Sequence, residues 1–158
     1  MSSPPEPLPI DSDVDLTAPA QRHETDRSHL PVLGAVALGG GIGAAARHGA
    51  SILWPTPPGD FPTTTMLVNV AGCALIGILI AAVTEARTAH HLTRPFLGTG
   101  VLGGFTTFST WALDIQNLVE TGQARTAMAY LTATLAAAMA AVWAGAWATR
   151  HLTARRRR

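Results

Sequence analysis

An all-α integral membrane protein, with four spanning helices and the third of them broken at mid-membrane, is the fold class the sequence predicts. Three observations predict it. Apolar residues make up 47% of the 158 and charged residues only 13%, well below the roughly 25% of a soluble domain. The charges lie outside, or at the edges of, four apolar stretches, each near the ~20 residues that a bilayer crossing needs. One of these stretches carries Gly103-Gly104-Phe105-Thr106-Thr107-Phe108-Ser109-Thr110, where paired glycines and β-branched threonines weaken a continuous helix.

Taken in order, residues 1–30 are polar, acidic and proline-containing. They lack the basic-then-apolar pattern of a secretory signal and are expected to form a disordered tail without a core. A membrane domain over 31–150 and a basic tail over 151–158 complete the expected organisation. The first span is Pro31–Leu53. Its Gly39 and Gly43 form a GxxxG pair that lets helix backbones approach closely in lipid; packing alone would account for it. Arg47, near the far end, would cost roughly 2.5–3.5 kcal/mol at a helix centre and less near an interface. It either snorkels or stands as a cation at the mouth of an anion pathway.

Trp54–Asp60 is a turn-rich loop. The second span, Thr63–Val83, is uncharged and contains Asn69. An amide in hydrocarbon must face protein or water, so Asn69 is either glue between helices or an N–H donor to a permeating anion. Thr84–Arg94 has the composition of a solvated loop. The third span starts near Pro95 and stays uncharged to Leu113. Carbonyls freed by a break in it are tolerable only if buried in protein, wet, or bound to a cation; a small-residue packing face on an unbroken helix is the alternative. Phe108 and Trp111 share a helical face, and aromatic edges carry positive charge that can meet an anion. Asp114–Arg125 is expected to be the last loop, with the helix fraying through Gln116 and Asn117. The fourth span, Thr126–Thr149, is uncharged and rich in Ala. Its Tyr130 and Thr134 share a face, where their hydroxyls line a polar track or bond a neighbouring helix.

All eleven basic residues are Arg. With four crossings, nine fall on the side of the termini and two, Arg47 and Arg125, on or near the other, so both termini are expected in the cytoplasm. The closing Arg155–Arg158 run fits anionic lipid better than nucleic acid at the end of an apolar helix. The single Cys73 excludes a disulfide framework and a cysteine zinc site. Gly98-Thr99-Gly100-Val101-Leu102-Gly103 matches GxGxxG, but no βαβ unit or ribose-binding acid surrounds it. The six His residues suggest neither a metal site nor a catalytic triad, and no enzyme is expected.

Together these residues resemble the CrcB/Fluc fluoride channel family over roughly 31–150. The first-helix pattern is matched by Gly40, Gly43-Ala44 and Arg47, with His48 in place of the usual Tyr. The second-helix Val-Asn-x-x-Gly is Val68-Asn69-Val70-Ala71-Gly72, and the third-helix signature runs from Gly103 to Thr110 without a gap. The resemblance implies a plasma-membrane channel that passively exports fluoride from the cytoplasm, built as an antiparallel, dual-topology dimer with two anion pores. It implies a structural sodium ion, not transported, held at the dimer centre by the Gly103 and Thr106 carbonyls. Asn69, Phe108, Ser109, Thr110, Trp111, Tyr130 and Thr134 would line the anion pathway, with Arg47 at its mouth. Trp111 replaces a second Phe, keeping a polarised edge and adding an N–H donor, and Ala138 stands where the last hydroxyl of the track would be. The Arg asymmetry suits a fixed-orientation subunit paired with an oppositely oriented paralogue.

Two other classes compete. A small four-helix multidrug or cation exporter needs an intramembrane carboxylate, and none is expected away from the edges of the spans. A non-transporting membrane subunit would explain the Gly, Ala and Asn69 pattern but not the Gly103–Thr110 run.

Overall fold

The computed structural model describes residues 30–57, 59–85 and 91–156. Expectations for the acidic tail before Leu30, for Arg87 and His90, and for Arg157 and Arg158 lie outside the described residues. Among those described, the secondary structure is entirely helical: α1 (Leu30–Leu53), α2 (Thr63–Glu85), α3 (Arg94–Leu102, a π-helix), α4 (Gly103–Phe105), α5 (Ser109–Glu120) and α6 (Ala124–Arg156). Three helices are long and apolar enough to cross a membrane, over Leu30–Leu53, Thr63–Thr84 and Ala124–Arg155. The third hydrophobic segment is instead divided among α3, α4 and α5.

Local sequence explains most of the boundaries. α1 stops before Trp54-Pro55, since a residue preceding proline is pushed out of helical geometry. α5 stops at Gly122, whose φ of 77° closes the helix as a left-handed cap; the Gly122 N–H reaches the Val119 carbonyl and the Gln123 N–H the Leu118 carbonyl. The expected loop from Asp114 is corrected by this. Helix continues through Gln116 and Asn117 to Glu120, because Trp111, Ile115 and Leu118 keep a three-to-four-residue apolar period. Leu118, 3% exposed, packs with Ala127 and Tyr130, and Trp111 and Ile115 close around them. α6 likewise runs past Thr149 to Arg156, through most of the expected tail. Its 33 residues extend about 50 Å, beyond a ~30 Å hydrocarbon core, so one end carrying Arg150, His151 and Arg155 can reach the headgroups.

Missing side chains set the helix packing. Cβ atoms at Gly39 and Gly43 would collide with the Phe96 and Val101 carbonyls, and one at Gly104 with the Gly40 carbonyl. The GxxxG pair is therefore where α1 meets α3 and α4. A second contact, unremarked in the sequence, joins α2 to α6: a side chain at Gly77 would strike the Val142 carbonyl, and one at Gly145 the Ala74 carbonyl. Leu38, Ile42, Leu67, Met139 and Trp143 meanwhile point outward and are mostly exposed. Small residues inside and large apolar ones outside are the arrangement expected when lipid is the solvent.

Candidate functional site: the break between α4 and α5

The chain leaves helical geometry at Thr106, whose φ of −73° and ψ of 158° are extended. What holds it there is Asn69 on α2. Asn69 Nδ2 donates to the Thr107 carbonyl at 2.9 Å, and the Thr107 N–H donates to Asn69 Oδ1 at 2.8 Å. Both ends of one amide thus grip one residue's backbone, 38 positions away. In a continuous helix the Thr107 N–H would serve the Gly103 carbonyl; here it is engaged by Asn69. The Thr110 N–H, which would serve the Thr106 carbonyl, donates to Thr107 Oγ1 at 3.2 Å. The Gly103 and Thr106 carbonyls are therefore both released from their helical donors. Two freed carbonyls at a helix break are the ligand type that suits a hard monovalent cation, so the residues present fit such an ion. Among the described residues, no group of three or more His, Cys, Asp or Glu could hold a metal instead.

The rest of the run stays local. Thr107 Oγ1 donates to Thr110 Oγ1 at 3.1 Å and lies 3.3 Å from Ser109 Oγ. Gly72 leaves room for the Thr106 methyl group. Arg47 reaches the same region from α1, its Nε donating to the Gly104 carbonyl at 3.2 Å. Its guanidinium keeps further N–H groups and lines a cavity of about 100 Å³ with Val68 and the polar side chains of His48, Thr65, Thr107 and Thr110. Asn69, whose Nδ2 is already bonded once, has a single N–H left for any other acceptor.

Downstream, Phe108 and Trp111 are paired as the spacing predicts, with ring centroids 5.3 Å apart and planes tilted by 47°. Phe108 is 78% exposed. Tyr130 is fully buried; Phe61 meets it edge to face at 5.4 Å, and its hydroxyl donates to Asp114 Oδ2 at 3.2 Å. Thr134, one turn along α6, is 5% exposed. The break thus brings together Asn69, Gly103, Thr106, Ser109, Thr110 and Arg47, while Trp111 and Tyr130 meet at the α5–α6 contact and Thr134 lies buried one turn further along α6.

A profile of the family described as CrcB-like protein, Camphor Resistance (CrcB), matches residues 34–146. The chain belongs to the CrcB family. Its relatives are named as ion channels, not enzymes. A Streptomyces avermitilis protein named fluoride-specific ion channel FluC 2 is 59% identical over 145 residues, covering 92% of each chain. The Nocardia farcinica protein of the same name is 48% identical over 143 residues, 90% of this chain and all of its own. A second S. avermitilis protein, named fluoride-specific ion channel FluC 3, is 47% identical over 91 residues, 58% of this chain and 45% of its own.

One residue of this CrcB protein that bonds a candidate site residue is not among those the sequence picks out. Asp114 was assigned to a loop, yet it sits in α5 against Tyr130. The apolar period through Ile115 and Leu118 was the signal that would have found it. Its place also weakens the argument that a missing carboxylate excludes an exporter; membership of the CrcB family is what separates the two.

Proposed function

We propose that the protein is a fluoride-specific ion channel that lets fluoride leave the cytoplasm down its electrochemical gradient and so lowers its toxicity. The observation that carries this reading is the polar break at Gly103–Thr110, pinned by Asn69, in a chain whose relatives are named fluoride-specific channels. In this reading α3, α4 and α5 make the fourth crossing, and residues 31–150 form the channel between an acidic tail and a basic one. The anion path runs by Asn69, Phe108, Ser109, Thr110, Trp111, Tyr130 and Thr134, with Arg47 at its mouth. Hydroxyl and amide donors replace the hydration shell that a small anion sheds. The Gly103 and Thr106 carbonyls hold a structural sodium ion, which supplies a fixed positive charge and is not transported.

The subunit lies in the cell membrane with both termini in the cytoplasm, its terminal Arg residues against anionic lipid. It assembles as an antiparallel dimer. The nine-to-two Arg asymmetry favours one orientation, so the partner is an oppositely oriented paralogue. The occurrence of two related channels, FluC 2 and FluC 3, in S. avermitilis supports that pairing.

Proteoliposomes test this. Fluoride efflux without chloride efflux, requiring sodium and a co-reconstituted paralogue, is the expected result. Efflux from the chain alone would overturn the heterodimer; no fluoride efflux in either preparation would overturn the channel.

A further inference from the structure

We infer that Trp111 is a hydrogen-bond donor to the permeating anion through its indole N–H, and so sets anion affinity in a way the usual Phe at this position has no atom to do. The inference rests on the channel reading and deepens it. Among the described residues, two buried side-chain polar atoms have no hydrogen-bond partner: Trp111 Nε1 and Thr134 Oγ1. Native proteins seldom leave such atoms unpaired, and hydrocarbon offers no water to compensate them. A buried indole N–H left unpaired therefore points to a ligand.

Trp111 packs against the cluster formed by Leu118, Ala127 and Tyr130, and Thr134 follows Tyr130 by four residues on α6. The Tyr130 hydroxyl already donates to Asp114. Beside this tyrosine, then, the phenol is satisfied while the indole holds a donor in reserve.

The chemistry of the indole narrows the ligand. Its N–H donates and cannot accept, so it is satisfied only by an acceptor. A small anion does this better than water, because a charge-assisted hydrogen bond is about twice as strong as a neutral one. A phenyl ring would offer only the weakly positive edge of its C–H bonds. The nitrogen is closed off in this conformation, so an anion reaches it by parting the tilted Phe108–Trp111 pair. Phe108, largely exposed, is the ring free to give way.

The experiment replaces the indole N–H without changing ring shape. The full chain in its active assembly is prepared as wild type, as Trp111→Phe and as Trp111→benzothienylalanine, which puts sulfur where the N–H is. Fluoride efflux from liposomes and equilibrium fluoride binding by calorimetry are read for each. The expected result is weaker fluoride binding in both variants, by roughly tenfold or more, as for loss of a hydrogen bond to a charged group. A benzothienylalanine protein that binds and conducts fluoride like the wild type overturns the inference, and impairment of the Phe variant alone would assign Trp111 to packing. A wild-type protein that passes no fluoride removes the channel reading, and this inference with it.

Discussion

Two regions join helices in this molecule by opposite means. Where α2 crosses α6, Gly77 and Gly145 bring backbone against backbone. Where α4 gives way to α5, a single amide from α2 takes hold of Thr107 at both its N–H and its carbonyl. The first contact depends on volume alone: anything larger than hydrogen is excluded. The second depends on particular atoms, because a broken helix in an apolar solvent exposes groups that must be paired. A span can therefore be tightly built and still carry no chemistry, and chemistry gathers where the backbone needs outside partners.

The largest effect is expected from Asn69→Leu, which keeps approximate size but strips partners from both the N–H and the carbonyl of Thr107. Two buried groups left unpaired cost roughly 2–6 kcal/mol together. A detergent-solubilised variant should unfold well below the wild type, and a stability equal to wild type would show that the amide does not hold the break. Asn69→Asp, which retains an acceptor but loses the donor, should fall between them.

Next in size is Gly77→Leu. Its side chain would strike the Val142 carbonyl, and overpacking of this kind costs about 1–3 kcal/mol. Gly41→Ala is the counter-experiment on α1, since nothing lies within 4 Å of a Cβ there. It should be neutral, or stabilising by up to ~1 kcal/mol through helix propensity. Thermal melts that rank these two the other way would refute the volume argument.

The smallest effect concerns the α5–α6 contact. Tyr130→Phe removes the hydroxyl from Asp114 but keeps the ring against Phe61, so about 1 kcal/mol should be lost. Because the carboxylate is then unpaired beside the proposed path, fluoride efflux should slow more than stability falls. Equal losses in melting and flux would make the bond purely structural.

How much of this was readable in advance follows the same division. Volume effects within one helix were legible: the spacing of Gly39 and Gly43 names a packing face, and of the four spans that apolar length predicts, three are single helices long enough to cross a membrane. The Gly77–Gly145 contact was not, because its two halves lie in different helices and neither carries a repeat. The break was legible as a run of residue types. Its fastening was not, since an amide in a span can bond in several ways and only the fold brings Thr107 to it. Asp114 was misplaced for a different reason: a charge outweighed the apolar period that continued beneath it, and Leu118 and Tyr130 decided the matter by burial.

The interruption at Thr106 also has an electrostatic meaning. One helical stretch ends there with unpaired carbonyls, and another, of 12 residues, begins there with its first N–H groups. Each helix terminus carries about half an elementary charge, negative at the carbonyl end and positive at the amide end. A segment free of ionised side chains from Pro95 to Leu113 thus sets two opposite poles a few residues apart in a low-dielectric interior. Such a pair of poles needs no titratable group, so its field does not vary with pH, and the proposed anion path and cation site would both draw on one change in backbone direction.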